Sequence, residues 1–166
     1  MELSQFTDYA LRSLIYVGMR EQDRRLNAAE AEAEAPCLPS VREIAEAYHI
    51  SQNHLVKVVH KLAQLGYIET FRGRGGGIIL AMAPSDIVVG TVVRQTENLA
   101  IVECLAPAAA GGKGGGCCIA PACELKRVLA RARDAFLASL DTSTLADLLT
   151  PHHSLMSLLR PSAITH

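Results

Sequence analysis

Ser51-Gln52-Asn53-His54-Leu55-Val56-Lys57-Val58-Val59-His60-Lys61-Leu62-Ala63-Gln64-Leu65-Gly66, then Tyr67-Ile68-Glu69-Thr70-Phe71, Arg72-Gly73-Arg74-Gly75-Gly76-Gly77 and Ile78-Ile79-Leu80, is the stretch that decides the fold. Leu55, Val58, Val59, Leu62 and Leu65 recur at helical spacing. Ser51 stands in the N-cap position and Gly66 in that of a C-cap. Tyr67–Phe71 and Ile78–Leu80 read as two short strands joined by a glycine-rich tip with two guanidiniums. Just upstream, Ser40-Val41-Arg42-Glu43 is a capping box, Ser-x-x-Glu. It opens a helix to about Tyr48 with Val41, Ile44, Ala45 and Tyr48 inward, and His49-Ile50 makes the turn between the helices. Two helices so joined are also what an ordinary antiparallel pair looks like; the basic hairpin after them favours a winged helix-turn-helix.

Such a unit puts its second helix in the major groove and its wing along phosphates or into the minor groove. Ser51, Gln52, Asn53, His54 and Lys57 project from the outward N-terminal half of that helix. Asn and Gln can pair bidentately with adenine edges, while Lys57, Arg72 and Arg74 suit phosphate. Charge agrees: the chain carries −1 overall, yet residues 47–80 hold four bases against one acid, and residues 21–46 seven acids against three bases. The glycine-rich tip is not a nucleotide cradle of the P-loop kind, because it joins strand to strand and lacks a Lys-Ser/Thr ending. His49, His54 and His60 do not share a helix face well and are read as surface or DNA-contact residues.

Ahead of this unit, Phe6, Ala10, Leu11, Leu14, Ile15 and Gly18 form one stripe, which predicts a helix from about Ser4 to Arg20. Asp8 lies in its first turns, where the helix dipole alone favours an acid. Residues 21–39 read as a flexible insertion, since the Ala/Glu run 28–35 offers no apolar stripe to dock. Cys37, at its end, reads as a spare thiol.

Beyond the wing, Ala83–Asp86 makes a turn and Gly90–Glu97 a short helix with Val92 and Val93 packed. Four of the five cysteines then fall between Cys104 and Cys123; with Cys117 as the middle partner the spacing is Cys-x12-Cys-x5-Cys. The intervening Ala, Gly and Pro cannot build a core, so a metal centre held by thiolates is the simplest organiser. Pro121 suits the first turn of a new helix, which places Cys123 near a helix N-terminus, where thiolate is stabilised. That helix runs to about Leu140 with Leu125, Val128, Leu129, Ala132, Phe136 and Leu140 on one face; it is read as a dimerisation helix, with docking on its own core as the alternative. A short helix, Leu145–Leu149, follows, ended by Pro151; the tail to His166 says little. The chain thus divides into a DNA-binding region 1–83, a cluster-binding loop and dimerisation helix 84–150, and a tail 151–166: mainly α with a small β-hairpin.

Other classes are excluded or weakened. In 166 residues no apolar run approaches a membrane span, and the N-terminus lacks the basic and apolar regions of a signal peptide, so the chain is expected to be cytoplasmic. Cysteines there are ligands or redox sensors more often than disulfides. No nucleophile–base pair or cofactor motif suggests an enzyme. Two alternatives stay open: a structural zinc site on three cysteines plus one other ligand, and a metal-free thiol sensor pairing Cys104 with Cys117 or Cys117 with Cys123.

Phe6-Thr7-Asp8-Tyr9-Ala10-Leu11-Arg12, Ser51–Lys57, the wing Arg72–Gly77, Pro121-Ala122-Cys123 and Leu145-Ala146-Asp147-Leu148 together resemble the BadM/Rrf family of winged-helix regulators, in particular its nitric-oxide-sensing iron–sulfur repressors. The resemblance covers nearly the whole chain in family order. It implies a homodimeric repressor on a double-stranded, roughly palindromic operator, with nitric oxide as signal and an iron–sulfur cluster on Cys104, Cys117 and Cys123. The x5 spacing to Cys123 resembles the family pattern and favours Cys117 over Cys118. The resemblance also raises Asp8 to a fourth ligand, from its own or the partner subunit, and favours [4Fe–4S] over [2Fe–2S]. Another group of iron–sulfur regulators in the family carries a histidine three residues after the last cysteine; here that residue is Lys126, which weakens the likeness to that group. The Ala/Glu segment and the cysteine loop are longer than usual for the family.

Overall fold

Residues 2–28, 38–73, 75–105 and 117–159 are described by a computed structural model. The first helix, α1, spans Gln5–Ala28 and so continues past Arg20, where its apolar stripe weakens. Propensity carries it: Glu21, Arg24 and Arg25 are good helix formers, and Glu21 pairs with Arg25 one turn on at 2.5 Å. Residues 29–37, including Cys37, lie outside the described residues.

Helix α2 (Val41–Tyr48) begins with the capping box in full. The Ser40 hydroxyl accepts from the Glu43 amide (3.2 Å) and the Glu43 carboxylate from the Ser40 amide (2.7 Å). His49 closes α2 in the left-handed region at φ 54°, and the Ile50 amide donates back to the Ala45 carbonyl (2.9 Å). Helix α3 (Gln52–Gln64) follows at once. Ser51 holds its N-cap position, but contrary to expectation its side chain makes no capping bond. Gly66, at φ 79°, turns the chain out of α3. Strands β1 (Ile68–Phe71) and β2 (Gly77–Leu80) pair antiparallel with Ile68 opposite Leu80 and Phe71 opposite Gly77. Gly77 is there because Leu38 lies against it: a Cβ would strike the Leu38 Cβ and backbone. The Ile78 amide donates to the Pro39 carbonyl (2.9 Å), so the segment entering α2 is fastened to the root of the wing.

After a 3-10 turn at Pro84–Asp86 comes α4 (Val89–Thr96). Another at Glu103–Leu105 holds Cys104. Pro121 does not start the long helix as expected; it sits in a separate 3-10 turn, Ala120–Ala122. The helix itself, α5, is Glu124–Asp141, with Cys123 at its N-cap. Thr144 and Asp147 form a second capping box for α6 (Leu145–Leu148). Pro151 does not end helical structure. Its ring presets the first turn of α7 (His152–Leu159), whose Leu155 amide donates to the Pro151 carbonyl (3.0 Å). Leu155, Met156 and Leu159 pack on the core, so this part of the tail is structural.

The core is one cluster. Leu14, Val17 and Met19 of α1 meet Ile44 of α2, Leu55, Val58 and Leu62 of α3, Ile68 and Ile78 of the hairpin, Val92 of α4 and Leu145 and Leu149 near α6. Gly18 lets α1 approach Leu149, whose methyl would lie 2.8 Å from an added Cβ. Val89 and Leu145 donate to the Ser143 and Ile87 carbonyls (3.0 and 2.8 Å), tying α6 to the start of α4. Arg94 of α4 grips Asp141, at the end of α5, with two parallel bonds of 2.5 and 2.6 Å. Among the described residues no helix is long and apolar enough to cross a membrane.

Candidate DNA-reading face and cysteine segment

Leu55, Val58, Val59 and Leu62 anchor α3 in the core, which turns its opposite side to solvent. Ser51, Gln52, Asn53, His54 and Lys57 are all exposed. The structure therefore gathers the five expected base- and phosphate-contacting residues of this helix on its first two turns. Arg72 is exposed at the wing tip, which Gly73 and Gly75 shape at φ 96° and 83°. Arg74 lies outside the described residues. A groove of about 190 Å³ runs between the start of α1 (Gln5, Phe6, Tyr9) and α3 (His54, Lys57, Val58). The first helix thus abuts α3.

Ser4 caps α1: its hydroxyl accepts from the Thr7 amide (3.3 Å). It is itself held from across the chain, because the Glu97 carboxylate accepts from both its amide (2.7 Å) and its hydroxyl (2.8 Å). Burial acts to raise the Glu97 carboxyl, but donors on Ser4, Thr7 and Asn98 outweigh it and the pKa falls below the ordinary value. Nothing local in the sequence marks this link between residues 93 positions apart. One turn along α1, Asp8 is 41% exposed and accepts from Arg12 at 2.9 Å. The Arg12 guanidinium stacks over the Tyr48 ring, 5.7 Å from its centre. Burial, the largest influence, pushes the Tyr48 phenol up to about 12; Arg12 opposes it, while Tyr16 and Asp8 add to it.

The turn carrying Cys104 packs against α5. Cys123 caps α5 with its sulfur, which accepts from the Lys126 amide at 3.4 Å. The sulfur is thus fixed at the start of α5 by a backbone amide. Cys104 and Cys123 are half-buried, Cys117 and Cys118 exposed, and all four are free. Soft thiols of this kind suit an iron–sulfur centre. Among the described residues, however, no three His, Cys, Asp or Glu side chains converge as a metal-holding group, and Asp8 is engaged with Arg12. The expected apolar stripe of α5 is outward over its first half: Leu125 is 63% and Val128 46% exposed. Its one buried residue is Leu137, one position beyond the expected Phe136.

Two short-linked helices with an outward polar second helix, followed by a hairpin wing, define a winged helix-turn-helix transcriptional regulator. The family model for Rrf2, described as an iron-dependent transcriptional regulator, matches residues 3–151, and the chain belongs to that family. It is 45% identical over 161 residues to the HTH-type transcriptional regulator NsrR of Geobacillus kaustophilus, covering 96% of this chain and 97% of that one. With the regulator of the same name from Bacillus subtilis it shares 47%, covering 96% and 98%. Among solved structures, IscR of T. potens is similar in fold, with a TM-score of 0.64 at 22% identity over 91% of this chain and 88% of that one.

Proposed function

We propose that the chain is a cytoplasmic, homodimeric repressor that reads a roughly palindromic operator through two copies of α3. It carries an iron–sulfur cluster, and nitric oxide, by damaging that cluster, releases the DNA. Cys104, Cys117 and Cys123 are the cysteine ligands, and Asp8 the fourth, from its own or the partner subunit. Four ligands at one site favour [4Fe–4S] over [2Fe–2S].

The observation that carries this is the placement of Cys104 and Cys123. The turn that carries Cys104 packs on α5, and Cys123 caps the start of that same helix. The likeness to two regulators named NsrR supports the nitric-oxide signal. Leu125 and Val128 support the dimer, because an apolar helix face needs a partner and a second copy of α5 supplies one. The cluster, when bound, supplies iron to which nitric oxide binds. The chain's own part is transmission: Asp8 stands one turn from the capped start of α1, and α1 adjoins His54 and Lys57 of α3. A pull on Asp8 acts on the spacing or tilt of two reading helices.

Anaerobic purification with iron and sulfide analysis tests the reading. Cys104→Ala, Cys117→Ala and Cys123→Ala should each lose the brown chromophore, whereas Cys118→Ala should keep it. Asp8→Ala should assemble a cluster but show weaker coupling between its nitric-oxide titration and operator release. A colourless wild type with stoichiometric zinc would overturn the sensor in favour of a structural metal.

A further inference from the structure

Val56 is 51% exposed in the middle of α3. It belongs neither to the core nor to the half-buried residues packed against it. Its neighbours one helical turn away on the outward face are Gln52, Asn53 and His60, all exposed. A β-branched residue is a poorer helix former than Ala, Gln or Lys, so at this place Val weakens the helix and gains no packing in return. An apolar side chain surrounded by polar base-reading candidates has one partner of matching chemistry in a major groove. That partner is the C5 methyl of thymine, the only apolar group on the base-pair edges there.

We infer that Val56 is a specificity-determining residue that packs against a thymine methyl in each operator half-site. The inference rests on α3 lying in the major groove, and it adds to the polar set a contact that reads thymine by shape. It also accounts for the side chain's bulk: the branched methyls reach further sideways than Ala, without the desolvation cost that a buried hydroxyl or charge would bring.

The test uses the cluster-loaded full-length protein and an operator selected by it from random duplexes. Each thymine of a half-site is replaced singly by deoxyuridine, which removes the methyl and leaves every hydrogen bond. Wild type should lose about 4-fold in affinity at one thymine per half-site, the worth of one buried methyl group. Val56→Ala should lose a similar factor on the unmodified operator and nothing more on that deoxyuridine duplex. Its fold is not at risk, since Ala is the better helix former, and its thermal midpoint should equal or exceed that of wild type. Val56→Ala binding every duplex as wild type does, or losses that multiply at every thymine, would overturn the inference. Lys57→Ala distinguishes the two levels. If it flattens the salt dependence, α3 is in the groove and a silent Val56 refutes this contact alone; if it does not, both fall.

Discussion

Replacing Glu97 by alanine should loosen the start of α1 by an amount the geometry bounds. The carboxylate accepts from the Ser4 amide at 2.7 Å, the Ser4 hydroxyl at 2.8 Å and the Asn98 amide at 3.0 Å. Hydrogen bonds to a charged group contribute about 1.5–3 kcal/mol where water is excluded. Here the bonds are solvent-accessible, and screening brings the expected loss to about 1–2 kcal/mol at pH 7. For a chain of this size that lowers the thermal midpoint by about 2–8 °C. Glu97→Gln keeps an acceptor without its charge and should fall between. The pH dependence supplies a second check. Because the folded pKa is depressed, the stabilisation is present above the unfolded carboxylate range and disappears as pH falls through the folded value. Urea unfolding followed by circular dichroism, at fixed protomer concentration, measures both. A variant with the wild-type midpoint at pH 7, or with a deficit that persists undiminished in strong acid, would refute a charged clamp on α1.

Gly77→Ala drives a methyl into Leu38 and its backbone and should cost about 1–3 kcal/mol, read as a lowered melting temperature; an unchanged melt would show that the 38–39 segment yields freely. Tyr48, raised from 10.0 to about 12, favours the folded state while its phenol is neutral, and that contribution is lost as pH rises through about 12. Alkaline absorbance titration should show a late phenol that is missing in Tyr48→Phe; its persistence in the variant would assign the late step to another tyrosine.

What was legible in the sequence was local. Ser40 and Glu43 are three residues apart and their reciprocal bonds follow from that spacing; Gly66 had to turn left-handed; the reading face of α3 followed from its four buried positions. The apolar stripe ends near Arg20, but propensity carries the first helix further, and residues 21–28 hold helix with exposed Leu26 and the Glu21–Arg25 pair. The helix at Leu145 does end before Pro151, but Pro151 also starts α7, which the sequence marks only if Leu155 and Met156 find a core. The Ser4–Glu97 and Arg94–Asp141 links leave no local trace, being 93 and 47 residues long in sequence. Val56 could have been suspected from a helical wheel, as an apolar residue off the apolar stripe. The proposed assembly of the cysteines with Asp8 would need a dimer and a bound cofactor, which no single-chain periodicity encodes.

The 24-residue α1, about 36 Å long, touches α3, β2, α4, α6 and α7. The first element made is thus completed by the last. On the ribosome, Gly18 and its neighbours wait for Leu145 and Leu149, so the reading helix has no finished support until nearly the entire chain has emerged. A message broken after the wing would yield a fragment with the recognition sequence but half a core. Such a fragment lacks Leu145 and Leu149, so the support of α3 and the segment proposed to answer the signal are lost together.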